Sequence, residues 1–235
     1  MINEEVQHRL ETLRDCFLEE NAKLNLSAFR TPETCWTGNI LDSLAALETD
    51  VLRNLNLNLN LNLQPQPFTV LDLGTGGGFP LLPLAICLPQ CSFTGLDSVG
   101  KKIAAIQRII HTMKIPNITL LCGRAEELGR DQVHREQYDV VTCRAVAELN
   151  VLIELAAPFL KVGGTLLCWK SLTIEQELKD SLLARADLSC QMQEPYVYDL
   201  GDTWGKRQIL VFTKRAKTNE KYPRAVGEPK KNPLL

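Results

Sequence analysis

Short apolar runs alternate with amphipathic stretches through the middle of the chain. The runs predict five β-strands, at residues 69–73, 92–97, 117–122, 138–143 and 164–169. The stretches between them predict helices at residues 80–88, 99–114 and 149–160, with a short helical turn near 124–129. Strands that are apolar throughout and separated by helices are typical of a parallel sheet that is covered on both faces.

Two helices are predicted before the first strand. Apolar side chains recur at helical spacing in the first segment, at Val6, Leu10, Leu13 and Phe17. The second helix begins at Thr31–Pro32, a suitable N-cap followed by a proline at the first helical position. Residues 54–63 then alternate asparagine and leucine. Asparagine is depleted in strands, so we expect an irregular low-complexity insert here.

The chain ends with a helix near 174–185 and two further strands, at 194–200 and 207–213. A short turn at 201–205 joins these strands, which predicts an antiparallel pair at one edge of the sheet. Seven strands closed by such a pair fit a Rossmann-like α/β sheet of the class I methyltransferase type better than an all-parallel dinucleotide-binding sheet. The predicted parts are an N-terminal helical cap (1–50), the insert (51–67), the α/β domain (68–214) and a basic C-terminal tail (215–235).

Composition excludes several classes of protein. Hydrophobic residues make up 45% and charged residues 23% of the 235, as in ordinary globular proteins. No run approaches 18 apolar residues and the N-terminus is polar, so we expect a cytoplasmic protein without a membrane segment. The eight cysteines form no C-x-x-C pair, so we expect reduced thiols and no metal site. We also expect a monomer.

The net charge of −2 conceals a basic C-terminus. Residues 214–231 contain seven basic and two acidic side chains, a local net charge of +5. Such a segment can contact phosphates, although a solvated, mobile terminus explains the charge equally well.

The stretch "VLDLGTGGGFPLLPLA", residues 70–85, carries the first chemical signal. Glycines at Gly74, Gly76 and Gly78 permit a sharp turn from strand to helix and the close approach of a ligand. A dinucleotide fingerprint would require glycine where Phe79 stands, and a phosphate-binding P-loop would require a lysine that is absent.

Carboxylates end the first two strands of the predicted sheet, at Asp72 and Asp97. A pyrophosphate prefers free amides without a nearby carboxylate. S-adenosylmethionine instead carries an ammonium and a sulfonium group, which suit an acidic neighbour, and Asp97 lies where a carboxylate can accept both ribose hydroxyls. The pair of acids therefore favours a methyltransferase over a dehydrogenase.

Three further groups fall at the same edge of the sheet. Ala125 and Glu126 follow the third strand, where Glu126 or a backbone amide could pair with the adenine amino group. Arg144 follows the fourth strand and Lys170 ends the fifth. Because parallel strands end at one edge, these side chains are predicted to surround a single ligand cleft.

Several motifs together resemble those of the small-subunit ribosomal RNA guanine-N7 methyltransferases, the family once named glucose-inhibited division protein B. They are "NAKLNLSA", "ILDSL", the glycine turn, "LDSVGKK", "GRAEEL", "DVVTCRAVAELNVL", "VGGTLLCWKS" and "YPRAVGEPKKNPL". The resemblance runs nearly end to end, interrupted only by the insert. In one departure, Asn39 stands where the family usually has histidine.

The resemblance implies S-adenosylmethionine as the cofactor and small-subunit ribosomal RNA or a subunit particle as the substrate. It implies cofactor contacts from Gly74, Phe79, Asp97, Ser98, Val99, Ala125, Glu126 and Arg144. Guanine N7 bears no proton, so its methylation needs alignment rather than a general base. Arg144 and Lys170 are then expected to grip a carboxylate, a phosphate or guanine O6 rather than to act as bases. RNA contacts are expected from the tail, the cap and the strand-end loops.

Three alternatives remain open at this point. An RNA cytosine-C5 methyltransferase would use a cysteine nucleophile near the fourth strand, and Cys143 lies there. A cofactor-binding assembly factor would show no methyl transfer. A dehydrogenase would bind a pyridine dinucleotide, against which the Phe79–Pro80 turn argues.

Overall fold

The computed structural model describes residues 3–60, 68–144, 146–201 and 203–235, excluding the side chains of residues 56–60. The α-helices are α1 (Glu4–Leu24), α2 (Pro32–Cys35), α3 (Asp42–Leu44), α4 (Asp50–Asn60), α5 (Leu81–Cys87), α6 (Gly100–Met113), α7 (Ala125–Leu128), α8 (Leu149–Ala156), α9 (Glu175–Asp180), α10 (Leu182–Asp187) and α11 (Glu228–Lys231). A π-helical turn, Trp36–Leu41, joins α2 to α3, and 3₁₀ turns occupy Ala45–Glu48 and Ala157–Phe159.

A single sheet forms the centre of the molecule. Its strands are β1 (Thr69–Leu73), β2 (Ser92–Asp97), β3 (Ile118–Cys122), β4 (Tyr138–Arg144), β5 (Leu160–Lys170), β6 (Cys190–Met192), β7 (Tyr196–Asp199) and β8 (Lys206–Lys214). They lie in the order β3-β2-β1-β4-β5-β8-β6, and β7 also pairs with β8. β1 to β5 are parallel, whereas β5, β6 and β7 pair antiparallel with β8. The predicted Rossmann-like sheet with an antiparallel edge is confirmed.

β6 is a strand that the apolar pattern did not predict. β6 and β7 pair with successive lengths of β8, so together they occupy one position at the edge of the sheet. Pro195 lies in the gap between them, and proline cannot donate a ladder hydrogen bond. Three residues are too few to show an alternation of apolar and polar positions, which explains why β6 was missed.

Apolar clusters cover both faces of the sheet. One contains side chains of α1, α5 and α6, and the other contains side chains of α8 and α10. Within the first, Phe17 of α1 meets the ring of Phe79 edge-on, with the ring centroids 4.7 Å apart. The N-terminal helices therefore pack directly on the turn that follows β1.

The strand order places a cleft at the carboxyl ends of β1 and β4. From β1 the sheet extends through β2 to β3 on one side and through β4 to β5 on the other. The connections above the two central strands thus diverge, which creates the crevice where ligands bind in open α/β sheets.

Part of the asparagine–leucine repeat is helical, contrary to the irregular structure expected for residues 54–63. Helix α4 runs to Asn60, while residues 61–67 lie outside the described residues. Leu52 and Leu55, three positions apart, are buried in the core cluster. Burial of leucines at helical spacing outweighs the modest helix propensity of asparagine.

The basic stretch at 214–231 packs against the rest of the fold, and three of its seven cations pair with carboxylates. Lys214 is fully buried with its ammonium 2.7 Å from a carboxylate oxygen of Glu136. Arg224 bonds to the buried carboxylate of Glu154. These two cations of the basic stretch are committed to the fold and are not available to contact RNA phosphates.

Within the described parts of the chain, we find no helix with the length and apolar character that a membrane crossing requires.

Candidate active site at the carboxyl edge of the sheet

The glycine turn after β1 is held in a conformation that requires glycine. Gly74 has a φ angle of +71°, and a Cβ atom there would lie 2.7 Å from Cγ2 of Val146. Gly76 has a φ angle of +57°. A residue with a side chain is disfavoured at Gly76 because of the positive φ angle. At Gly74 it is disfavoured both by the positive φ angle and by the contact with Val146.

Most amides of this turn are already bonded within the protein. Gly74 and Thr75 donate to the carbonyl of Leu96, and Gly78 donates to that of Thr75. The Gly76 amide donates to Oδ2 of Asp97 at 3.0 Å. A diphosphate would need free amides at such a turn, so the arrangement favours a ligand without phosphates.

Asp97 links the turn to the end of β2. Its carboxylate accepts the Gly76 amide on one oxygen and the Val99 amide, at 2.9 Å, on the other. The side chain is 7% exposed and lines a cavity. Each carboxylate oxygen retains a second lone pair with which it can accept a ligand hydroxyl.

Two cavities meet at the turn. The β2–β3 cavity, of about 340 Å³, lies over the ends of β2 and β3, and the β1–β4 cavity, of about 440 Å³, lies over β1 and β4. Both are lined by Gly74 and Lys102. A ligand at the turn can therefore extend from one cavity into the other.

The predicted site residues divide between these cavities. The β2–β3 cavity is lined by Gly74, Asp97, Ser98, Val99, Ala125 and Glu126. The β1–β4 cavity is lined by Gly74, Gly76, Phe79, Asn39, Arg144 and Lys170. Gly78 and Asp72 line neither cavity, and both are buried.

Asp72 is a buried acid rather than an exposed one. It is 1% exposed and accepts a hydrogen bond of 2.7 Å from the Thr142 hydroxyl, while its Oδ2 has no hydrogen-bond partner. Burial raises the pKa of Asp72 to about 6, although the Thr142 hydrogen bond acts in the opposite direction. This side chain does not line either cavity.

We predict that Asp72→Asn stabilises the protein at neutral pH. The unfolded carboxyl ionises near pH 4 and the folded one near pH 6, so wild-type stability falls as the pH rises through this window. The amide does not titrate. Thermal and denaturant unfolding at two pH values should show the advantage of Asp72→Asn growing by about 1 kcal/mol between pH 5 and pH 7.5. An advantage that does not change with pH would contradict this assignment.

Glu126 closes the far end of the β2–β3 cavity. Its carboxylate is 4% exposed and accepts hydrogen bonds of 2.9 Å from Arg124 and from the backbone amide of Gly227. Burial raises the pKa of Glu126, but these two donors outweigh it and the net shift is downward. The carboxylate is therefore a charged acceptor at the position expected for the adenine edge.

Arg144 joins the sheet to the N-terminal helices. One guanidinium nitrogen donates to the Gly38 carbonyl and to Oδ2 of Asp42, both at 2.9 Å, and the other donates to Oδ1 of Asn39 at 2.8 Å. The guanidinium also lies 5.6 Å from the ring centroid of Phe79. Its acceptors belong to the π-helical turn and the residue that follows it, and such turns occur often at functional sites.

Lys170 lines the β1–β4 cavity but already has an acidic partner. Its ammonium donates to the Ala147 carbonyl at 3.0 Å and pairs with Glu177. The side chain is 14% exposed. The positive charge of Lys170 is thus neutralised by Glu177, so we expect Lys170 to contribute less to the binding of an anion.

Four titratable residues that line the β1–β4 cavity were not indicated individually by sequence patterns: Asp42, Lys102, Tyr198 and Arg207. Asp42 is 2% exposed and accepts a hydrogen bond of 2.6 Å from the Tyr198 hydroxyl. Burial and the nearby carboxylate raise the pKa of Tyr198. Asp42 lies in "ILDSL" and Lys102 in "LDSVGKK", so the family motifs pointed to these two residues. Tyr198 and Arg207 belong to β7 and β8, and only the folded structure shows that these strands bring them to the cavity.

The fold is that of the class I methyltransferases. The open α/β sheet resembles that of the antibiotic-resistance methyltransferase Kmr, with a TM-score of 0.50 and 17% identity over 67% of this chain and 92% of that chain. It also resembles M. jannaschii TYW2 in complex with AdoMet, with a TM-score of 0.50 and 15% identity over 69% and 76% of the two chains.

The sequence identifies the family. Residues 6–200 match the family described as rRNA small subunit methyltransferase G. A relative from Alkaliphilus metalliredigens, the ribosomal RNA small subunit methyltransferase G, is 34% identical over 99% of this chain and 92% of its own length. The chain therefore belongs to the rRNA small subunit methyltransferase G family, as the motif resemblance indicated.

Proposed function

We propose that this chain transfers a methyl group from S-adenosylmethionine to N7 of a guanine in small-subunit ribosomal RNA. The cofactor supplies an electrophilic methyl group on its sulfonium. We place the adenosine in the β2–β3 cavity and the reacting end beside Gly74, where the two cavities meet. The target base then enters the β1–β4 cavity.

The residues of the β2–β3 cavity suit an adenosine. Leu96, Val151 and Leu155 offer an apolar surface for a flat base. Asp97 and Glu126 are acceptors, and an adenosine presents donors to them, namely two ribose hydroxyls and an amino group. Because most amides of the glycine turn already donate hydrogen bonds within the protein, the turn favours a ligand without a diphosphate.

One observation carries the choice of N7: the carboxylate that lines the β1–β4 cavity, Asp42, is not available to act as a general base. Asp42 is 2% exposed and already accepts hydrogen bonds from Arg144 and Tyr198. The other titratable side chains that line this cavity, among the residues described, are lysines, arginines and Tyr198. Such a cavity cannot readily remove a proton, but N7 has none to lose.

Alignment is then the main contribution of the β1–β4 cavity. Phe29, Phe79 and Tyr198 provide aromatic surfaces against which a base can pack. Lys102 and Arg207 line the same cavity, at 3.8 Å from Asp97 and 4.0 Å from Asp42 respectively, and are the donors that we assign to guanine O6, beside N7. Holding N7 in line with the methyl group converts binding energy into rate.

The observed surroundings of Cys143 oppose the cytosine-C5 alternative. Cys143 is 1% exposed and lines neither cavity, and burial raises the pKa of its thiol well above the usual value. A covalent mechanism requires an accessible thiolate.

We predict that Cys143→Ala retains methyl transfer within about twofold of wild type and loses about 1 kcal/mol of stability, the typical cost of a single substitution. Initial rates with labelled cofactor and thermal unfolding measure the two effects. Loss of activity in a folded Cys143→Ala protein would restore the cytosine-C5 alternative.

The direct test is incubation of the protein and methyl-labelled S-adenosylmethionine with small-subunit ribosomal RNA from a strain that lacks this gene. Naked RNA and assembled subunits are assayed in parallel, followed by nucleoside analysis. Label in N7-methylguanosine supports the proposal, whereas label in 5-methylcytidine or no transfer to either substrate contradicts it. We further propose that the protein acts in the cytoplasm and that it is a monomer. Sedimentation of the active sample would test the monomeric state.

A further inference from the structure

The C-terminal segment supplies one wall of the β2–β3 cavity. Pro229, which is buried, and Lys230 line this cavity together with residues at the ends of β2 and β3. The Gly227 amide donates a hydrogen bond of 2.9 Å to Oε1 of Glu126. Residues that follow the last strand by more than ten positions therefore complete the cavity in which we place the adenosine.

A buried ion pair anchors this wall. Glu154 is fully buried and accepts hydrogen bonds from the backbone amide of Arg224 at 2.9 Å and from its guanidinium at 2.6 and 2.9 Å. Glu154 belongs to α8, whose Val151 and Leu155 line the same cavity. One helix thus supplies part of the cavity and also holds the segment that faces it.

Gly227 lies between the anchor and the wall. Its φ angle is +81°, and a Cβ atom at this position would meet nothing within 4 Å. An alanine would therefore strain the backbone without a steric clash. The segment needs this left-handed residue to turn from Arg224 toward Pro229.

We infer that residues 224–231 form part of the cofactor site. Pro229 and Lys230 close the adenosine end of the β2–β3 cavity, Gly227 turns the chain toward them and bonds to Glu126, and Arg224 and Glu154 are a positioning pair for that wall. The inference rests on the proposed placement of the adenosine. It requires that cofactor binding and docking of the segment stabilise each other, because each completes the surface on which the other packs.

The main test is Gly227→Ala, with Gly163→Ala as the matched control. Gly163 also has a positive φ angle, +88°, with open space around its Cβ position, and lies on β5 outside both cavities. Both changes impose the same kind of backbone strain. Titration calorimetry with S-adenosylhomocysteine should show the dissociation constant rising about fivefold to tenfold in Gly227→Ala and remaining at the wild-type value in Gly163→Ala.

Kinetics give a readout that a general loss of stability would not produce. Gly227→Ala should raise KM for S-adenosylmethionine by a similar factor and leave kcat and the KM for RNA unchanged. Arg224→Lys, which retains charge but loses the fork of donors, should show a smaller rise in the same constant. Equal cofactor affinities in Gly227→Ala and Gly163→Ala would overturn the inference.

Hydrogen exchange tests the coupling in the unaltered chain. Amides of Gly227, Glu228 and Lys231 are hydrogen-bonded in the docked segment. Saturation with S-adenosylhomocysteine should slow their exchange severalfold; unchanged exchange would contradict the coupling.

Asp97→Asn separates failure of the inference from failure of the proposed site. If it weakens cofactor binding while Gly227→Ala does not, the adenosine site stands and the role of the C-terminal segment is refuted. If Asp97→Asn binds like wild type, the placement of the adenosine is refuted, and the inference with it.

Discussion

Replacing Arg144 with alanine will lower kcat/KM for methyl transfer by about 100-fold, the loss that a misplacement of reacting groups by about 1 Å can cause. The Arg144 guanidinium is held by three acceptors, the Gly38 carbonyl, Asn39 and Asp42, and faces the β1–β4 cavity. Without it, the buried Asp42 loses its 2.9 Å ion pair and keeps, among the described residues, only the more distant guanidinium of Arg207 at 4.0 Å. The wall of the target-base cavity must then rearrange.

The expected pattern separates alignment from cofactor binding. Arg144 lines the β1–β4 cavity and not the β2–β3 cavity, so the dissociation constant for S-adenosylhomocysteine should change less than tenfold. Arg144→Lys retains the charge, but one ammonium cannot reproduce the fork of donors, and we expect an intermediate rate. Single-turnover rates and calorimetry on the same preparations measure both quantities.

Arg14→Ala serves as the surface control for this prediction. Arg14 pairs with its neighbour Asp15 on α1 and lines neither cavity of the candidate site. Its removal should leave kcat/KM unchanged. If Arg144→Ala binds cofactor about 100-fold more weakly and turns over normally at saturation, Arg144 is instead a cofactor ligand, as the family resemblance implied.

Local patterns were sufficient for the centre of the sheet. β1 and the central parts of β4 and β5 are nearly unbroken buried runs, because a strand covered on both faces has no polar side to present. β3, at the edge of the sheet, is only partly buried. The carboxyl ends of these strands meet at one edge, so Asp97, Glu126 and Arg144 could be placed at that edge from their order alone, although they line two adjoining cavities. Both inferences depend on residues that are adjacent in sequence to a strand end.

Features that depend on distant partners could not be predicted in this way. The burial of Asp72 follows from the turn that covers it, and the Tyr198–Asp42 hydrogen bond joins residues 156 positions apart. The basic stretch at 214–231 illustrates the same limit. The order of charges along the chain does not show that Lys214 pairs with Glu136 and Arg224 with Glu154 in the folded protein.

The pairing of Lys214 leads to the second large effect that we expect: Glu136→Ala should cost about 3 to 5 kcal/mol of unfolding free energy, the usual penalty for leaving a buried charge without its partner. The Lys214 ammonium is fully buried and donates to Glu136, to the Ala157 carbonyl at 2.9 Å and to the Leu160 carbonyl at 2.7 Å. Burial lowers the pKa of Lys214, opposed by the carboxylate of Glu136. Without that carboxylate, two carbonyls remain but no counter-charge.

Removing the cation instead should be less costly. In Lys214→Met the remaining Glu136 carboxylate is 22% exposed and can be hydrated, so we expect a smaller loss than in Glu136→Ala. Asp15→Ala, which breaks the exposed pair with Arg14, should cost no more than about 1 kcal/mol. Denaturant unfolding of the three variants gives the ranking directly. Equal small losses in Glu136→Ala and Asp15→Ala would show that the Lys214 ammonium reaches water.

The same variants decide whether Lys214 contributes to RNA binding. A lysine that contacts phosphate adds to the salt dependence of RNA affinity, and its removal lowers the slope of log K against log salt by about one. Because the ammonium of Lys214 is enclosed by Glu136 and two carbonyls, Lys214→Met should leave that slope unchanged at a temperature where the protein is folded. A slope reduced by about one would show that Lys214 contacts RNA phosphate. An unchanged slope would show that its charge contributes to the stability of the fold and not to RNA binding.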